Sequence, residues 1–222
     1  MTKTHKQHTT LYRCGLMIFI SLFVHILCYA QNPHRYDREI AEFDKLGTFG
    51  QFVVFTGSSS IRKWTSLTKC KGISVINTGF GGSHMSDLLF HLEKTVLKFR
   101  PTSVYIYEGD NDIAYGKKPN EVLYTAQEVV NKIKLRLPHI KIYFIGVKPC
   151  PSRWKYRNEY LRFNSLLKSY CEKHNQLYYI DVWNKMLTDG YPNPKLFISD
   201  KLHLNDTGYH LWNDIICNTT DE

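Results

Sequence analysis

Five short runs of apolar, β-rich residues punctuate this 222-residue chain at intervals, and they leave it few architectures to choose from. They are Phe52–Phe55, Ile73–Ile76, Val104–Tyr107, Ile140–Val147 and Leu177–Ile180. Each is close to continuously apolar, the pattern of strands covered on both faces. Helical periodicity follows or separates them. Met85, Leu88, Leu89, Leu92 and Val96 share one face, as do Val122, Ala126, Val129, Val130, Ile133 and Leu137. Tyr160, Phe163, Leu167, Tyr170 and Cys171 form a third face, and Leu211, Trp212, Ile215 and Ile216 a last one after Gly208. A further helix is expected from Tyr36 to Leu46, packed across the sheet. Strand alternating with helix implies crossover connections and a parallel sheet. The expectation is one doubly wound α/β domain over residues 32–218, with a central parallel sheet of five strands.

The first thirty residues fall outside that pattern. Lys3, Lys6 and Arg13 precede an apolar run from Leu16 to Leu27, interrupted by His25 and too short for a membrane span of about 20 residues. Cys28-Tyr29-Ala30 ends it with the small residues of a cleavage site. Residues 1–30 therefore read as a secretory signal peptide cut after Ala30, with an uncleaved N-terminal membrane anchor as the alternative.

Export changes the charge arithmetic. The whole chain carries 29 Lys+Arg against 20 Asp+Glu, a balance of +9. Three positive charges leave with the first thirty residues, so the remainder stands at +6. Its Lys and Arg are dispersed and follow no nucleic-acid-binding motif, which argues against a nucleic-acid partner. Four cysteines remain: Cys70, Cys150, Cys171 and Cys217. Bridges are permitted in an exported protein, but the wide spacings contain no Cys-x-x-Cys, and free buried thiols fit as well.

In open α/β sheets the chemistry gathers beyond the carboxyl ends of the strands. The segments there are Gly57-Ser58-Ser59-Ser60, Asn77-Thr78-Gly79-Phe80-Gly81-Gly82, Gly109-Asp110-Asn111-Asp112, Lys148-Pro149-Cys150-Pro151 and, further on, Asp200-Lys201-Leu202-His203. A serine-rich turn ordinarily caps a helix and a Gly-Gly pair ordinarily makes a turn. Together, however, these segments contain every part of an acyl-transfer site. A hydroxyl nucleophile needs a base beside it, and that base needs a group to hold its tautomer. Ser59, His203 and Asp200 are the candidates. The oxyanion of a tetrahedral intermediate needs preorganised donors, and the Ser59 and Gly82 amides with the Asn111 side chain would serve.

These blocks resemble those of the SGNH hydrolases, also called GDSL-type esterases and lipases. Gly57-Ser58-Ser59, Asn77-x-Gly79-x-x-Gly82, Gly109-x-Asn111-Asp112 and Asp200-x-x-His203 occur in the family's order and span residues 57–203. The resemblance implies a flavodoxin-like three-layer α/β/α fold and ester hydrolysis through an acyl-enzyme, with no metal or organic cofactor. It assigns Ser59 as nucleophile, His203 as base, Asp200 as its partner, and Ser59, Gly82 and Asn111 as oxyanion donors. One departure stands out: where the family's first block usually reads Gly-Asp-Ser-Leu, Ser58 and Ser60 flank Ser59 here. That leaves Ser58 as an alternative nucleophile and Ser60 as a residue starting the next helix.

Other candidates rank lower. Arg153 and Trp154, in the Pro-rich loop after the fourth strand, are expected to line a substrate groove, against a reading as loop packing. Trp64, Trp183 and Trp212 fit the core better. His84 fits a helix start, and His203 with His210 matches a metal set only superficially. Asn205-Asp206-Thr207 and Asn218-Thr219-Thr220 have the form of glycosylation sequons. The function expected is an exported serine esterase acting on a small-molecule or carbohydrate ester, O-acetylated carbohydrate first. A short-chain lipid or lysophospholipid acylhydrolase is one alternative, and a non-catalytic carbohydrate-binding domain on a decayed scaffold is another. No stable membrane insertion is expected once the signal is removed.

Overall fold

The computed structural model of the protein describes residues 32–47 and 50–218; the segment read as a signal peptide lies outside the described residues. Two units divide the chain, residues 1–35 and 36–222. Of the first, only residues 32–35 are described, with a short 3-10 turn beginning at Pro33. The second holds the sheet and the α-helices.

Its elements are α1 (Asp37–Ala41), β1 (Phe52–Gly57), α2 (Ser59–Arg62), β2 (Lys69–Cys70), β3 (Ile73–Gly79), α3 (Met85–Thr95), β4 (Ser103–Tyr107), α4 (Asp110–Ala114), α5 (Pro119–Arg136), β5 (Lys141–Ile145), α6 (Arg157–Glu172), β6 (Leu177–Ile180), β7 (Leu187–Thr188), β8 (Tyr191–Pro192) and α7 (Asp206–Ile216). The sheet runs β2-β3-β1-β4-β5-β6. Strands β3, β1, β4, β5 and β6 are parallel, as expected. The expected count of five is corrected to six, because the two residues of β2 pair antiparallel with the start of β3 at the sheet edge. Two residues are too few for any periodicity to register. The expected helix from Tyr36 to Leu46 is a short α1 that tightens into a 3-10 turn over Glu42–Lys45. Among the described residues, no helix is long and apolar enough to cross a membrane.

Alternation along the strands separates two cores. Val54, Val104, Ile106, Ile142 and Phe144 face α3, α5 and α6, where Leu88, Leu92, Val129, Ile133, Phe163 and Leu167 meet them. Val53, Phe55, Tyr105, Tyr143 and Ile145 face the other way, toward Trp64, Tyr209, Trp212 and Ile215. This second face has one long helix, α7, and fills its space with aromatic rings. Phe55, Tyr105, Tyr143 and Tyr178 lie in register on β1, β4, β5 and β6. Their rings stack at 4.3, 4.5 and 4.7 Å, close to the spacing of neighbouring strands.

The sheet order reverses at β1, with β3 on one side and β4 on the other. Such a switch point opens a crevice above the carboxyl ends of β1 and β4. One disulfide, Cys70–Cys217, ties the edge strand β2 to the residue ending α7, with Cα atoms 4.9 Å apart. Cys150 and Cys171 are buried free thiols, and burial pushes Cys171 up to about 12.

Candidate active site

The turn after β1 is shaped by Gly57. Its φ of +123° is reserved for glycine, and a Cβ there would lie 2.1 Å from the Tyr107 carbonyl oxygen. That close approach lets the Ser58 N–H donate to Tyr107 O at 3.0 Å and starts α2 at the switch point. The three serines then diverge. Ser58 is fully buried, and its Oγ has no hydrogen-bond partner among the described residues. Ser60 is buried and accepts a hydrogen bond from Lys148 Nζ at 2.9 Å. Ser59 alone is partly exposed, and its Oγ lies 2.9 Å from His203 Nε2.

His203 arrives on a loop that closes on itself. Ile198 N donates to His203 O at 3.0 Å, and a bridge pairs Phe197 with Leu204. Asp200 organises the turn with both carboxylate oxygens. Oδ1 accepts from the Leu202 and His203 amides, each at 2.9 Å, and Oδ2 meets His203 Nδ1 at 2.6 Å. Burial works against ionisation of Asp200, but the imidazole and the two amides outweigh it and hold the carboxyl at about 2. A carboxylate ionised at neutral pH accepts the Nδ1 proton, leaving Nε2 with its lone pair toward Ser59. Next, Asn205 caps α7 through the Gly208 amide at 3.0 Å, and Tyr209 donates to Ser60 O at 2.9 Å.

The opposite wall comes from β3 and β4. Asn77 donates to Ile61 O at 2.8 Å and accepts from Gly79 N at 2.9 Å, locking the end of β3 to α2. Gly82 is exposed, with φ +77°. Gly109, at φ +108°, packs where a Cβ would meet the Phe163 ring at 2.6 Å, and it starts α4. This sets Asn111 at the crevice, half-buried, with its Nδ2 donating to Ser83 O at 2.9 Å. His84 is the residue before α3, as read from the sequence; its N–H donates to Asp87 at 2.9 Å. Asp112 takes Met85 N at 2.9 Å and Lys117 Nζ at 2.7 Å, bracing α3 against α4.

The fourth loop reaches the same place. Arg153 donates to Asn111 Oδ1 at 2.8 Å and to Asp110 Oδ2 at 3.2 Å. Trp154 is half-buried, stacks against Trp183 at 6.0 Å and packs at a tilt against Tyr191 at 4.9 Å, the latter exposed on the β7–β8 hairpin. Ser152 N donates to Lys201 O at 3.1 Å, joining this loop to the Asp200–His203 turn. Trp64, Trp183 and Trp212 are buried. Among the described residues, no cluster of His, Cys, Asp and Glu could hold a metal ion.

Three polar residues around this site were not singled out in the sequence. Lys148 is 1% exposed and lies on Ser60, on the Tyr107 hydroxyl at 3.2 Å and near Asp110 at 3.9 Å. Asp110 is buried between Lys148 and Arg153. Glu108 is buried, with Oε1 2.5 Å from Ser83 Oγ. Burial, and then the charge of Asp112, hold Glu108 well above the ordinary carboxylate range. Ser83 Oγ also lies 3.1 Å from Phe80 O. The Ser83 hydroxyl donates to Glu108 Oε1, which favours the ionised form and only partly offsets the effect of burial. A lysine after a strand and an acid before Gly-Asp-Asn are unremarkable as sequence; only their burial gives them meaning.

A doubly wound sheet carrying this serine, histidine and carboxylate at its switch point has the architecture of an ester hydrolase. The family model for the GDSL-like lipase/acylhydrolase family matches residues 48–211, and the chain belongs to that family. Solved structures share its fold. A candidate acylhydrolase from Bacteroides fragilis is 24% identical, with 83% of this chain and 93% of that one covered and a TM-score of 0.68. A GDSL-like lipase from Bacteroides thetaiotaomicron is 19% identical, with 83% and 94% covered and a TM-score of 0.66. A catalytic mutant of an acetylxylan esterase from Geobacillus stearothermophilus is 18% identical, with 77% and 94% covered and a TM-score of 0.60. A search of curated proteins matched none.

Proposed function

We propose that this chain is an exported serine esterase that cleaves carboxylic esters through an acyl-enzyme on Ser59. The observation that carries the reading is the hydrogen-bonded chain Ser59 Oγ–His203 Nε2 and His203 Nδ1–Asp200 Oδ2, at 2.9 and 2.6 Å. Ser59 Oγ attacks the ester carbon as its proton passes to His203 Nε2, and Asp200 stabilises the imidazolium formed. The oxyanion takes donors from the Ser59 and Gly82 amides and from Asn111 Nδ2. His203 then gives its proton to the leaving alkoxide oxygen. Water, deprotonated by His203, attacks the acyl carbon, and the proton returns to Ser59 as the carboxylic acid departs.

For the alcohol portion we favour a carbohydrate carrying a small O-acyl group. Exposed Tyr191 on the β7–β8 hairpin and half-buried Trp154, next to the Arg153 that reaches Asn111, offer rings of the kind sugars pack on. The acetylxylan esterase among the structural neighbours is compatible with this choice. Export is supported by the basic and apolar pattern of residues 1–30 and by the Cys70–Cys217 bridge.

Purified protein beginning at Gln31 should hydrolyse p-nitrophenyl acetate and release acetate from acetylated xylan, with rates falling as the acyl chain lengthens. Ser59→Ala should abolish both activities and labelling by a fluorophosphonate, while Ser58→Ala and Ser60→Ala keep most of them. Full activity in Ser59→Ala would sink the mechanism. Preference for long acyl chains would move the substrate to lipids, and no labelling with no hydrolysis would leave a binding domain.

A further inference from the structure

We propose that Arg153 is a positioning residue that sets the orientation and donor strength of the Asn111 amide at the oxyanion hole. This rests on the reading of Asn111 as an oxyanion donor. A side-chain amide can turn over by half a rotation with little change in shape, exchanging its donor end for its acceptor end. At an oxyanion hole that exchange would set a carbonyl oxygen against the developing negative charge. Two partners forbid it here. Arg153 Nη2 donates to Asn111 Oδ1 at 2.8 Å, and Ser83 O accepts from Asn111 Nδ2 at 2.9 Å. Turned over, the amide would face a guanidinium with N–H groups and a carbonyl with an oxygen, losing both bonds.

With Oδ1 and one Nδ2 hydrogen held, amide planarity determines where the second hydrogen points. The cation on Oδ1 also draws electron density from the amide nitrogen and makes that hydrogen a stronger donor. Arg153 is itself well held. Its other arm donates to Asp110 Oδ2 at 3.2 Å, Asp110 Oδ1 accepts Asn111 N at 2.8 Å, and its side chain is 20% exposed. Neutralising Asp110 does not require Arg153, because the buried Lys148 ammonium stands 3.9 Å from the same oxygen and Tyr107 donates to it at 3.3 Å. The bond not duplicated by another residue is the one to Asn111.

The test is a cycle of Arg153→Met and Arg153→Lys in native and Asn111→Ala backgrounds, with kcat and KM measured on p-nitrophenyl acetate. Arg153→Met should lower kcat about 10-fold, the weight of one charge-assisted hydrogen bond, and leave KM within about 2-fold. Arg153→Lys should recover part of the loss. In the Asn111→Ala background, Arg153→Met should cost less than about 2-fold, because its effect passes through the missing amide. Equal losses in both backgrounds overturn the proposal and indicate loop packing. A raised KM with unchanged kcat overturns it in favour of direct substrate contact. If Asn111→Ala alone leaves kcat unchanged, the oxyanion role of Asn111 fails and the proposal with it, while Ser59→Ala still reports separately on the esterase reading. Should Arg153→Met not fold, Arg153→Lys carries the same comparison.

Discussion

Tyr209 donates its phenolic hydrogen to the carbonyl oxygen of Ser60 across 2.9 Å, bonding the first turn of α7 to the residue beside Ser59. The two are 149 residues apart in the chain. Trp64, just past α2, stacks on the same tyrosine at 5.5 Å and meets Trp212 edge-on at 5.8 Å, so this end of α2 joins α7 through two aromatic pairs as well as the hydrogen bond. The His203 loop leads directly into α7, so this joint is expected to help hold His203 at its distance from Ser59. Tyr209→Phe keeps the stack and leaves a buried carbonyl unpaired, at a cost of about 1–2 kcal/mol. Thermal unfolding should shift down by a few degrees, and kcat should fall more than KM changes. An unchanged kcat would show that the joint does not govern the Ser59–His203 distance.

Asp200 should matter to both activity and acid stability. Asp200→Asn removes the charge that stabilises a His203 imidazolium and should lower kcat by about two to four orders of magnitude. Its native carboxyl sits at about 2, below the ordinary value, so its stabilisation is present above about pH 4 and is lost as pH falls toward 2. Denaturant melts of Asp200→Asn should therefore decline less steeply than wild type between pH 4 and 2.

Glu108 carries the opposite sign. Its pKa is raised in the folded protein, so the folded state holds a proton that the unfolded state releases near the usual carboxylate value. Stability from this residue falls as pH rises through that range and beyond. Glu108→Gln can still accept from the Ser83 hydroxyl without the titration. Its melting temperature relative to wild type should climb from pH 5 to pH 9, and a constant offset would mean that Glu108 is ionised in the fold.

The Cys70–Cys217 bridge closes a long loop, with its cysteines 147 positions apart. Chain-entropy arguments assign such closure roughly 2–5 kcal/mol. Cys217→Ser, or reduction of the native protein, should lower the melting temperature by roughly 5–15 °C. Cys150 and Cys171, buried and raised by burial, should resist iodoacetamide until the protein unfolds, which peptide mapping can read.

The central strands β1, β4 and β5 were legible because both their faces are largely buried, and Leu177–Ile180, partly exposed at the sheet edge, still coincides with the run read from the sequence. Ends were less so. β1 and β3 extend beyond their apolar residues through Thr56-Gly57 and Asn77-Thr78-Gly79. Thr78 stays buried there because its hydroxyl reaches Thr95 O at 2.8 Å, which no local pattern announces. β5 stops at Ile145, before the expected Val147. There the Asn164 side chain takes over, accepting from Val147 N and donating to Val147 O at 2.8 and 2.9 Å.

Periodicity and short blocks at strand ends were enough to determine the doubly wound class, the order of its parts and the candidates Ser59, Gly82, Asn111, Asp200 and His203, since burial pattern and turn chemistry are written locally. Only the tertiary structure decided which of three adjacent serines faces His203, which two of the four cysteines among the described residues meet, and that Arg153 lies on Asn111. It also decided the buried roles of Lys148 and Glu108. The physical reason is that a side chain's burial, partners and charge state depend on groups distant in the chain, and those meet only when the sheet has formed and the helices have closed over it.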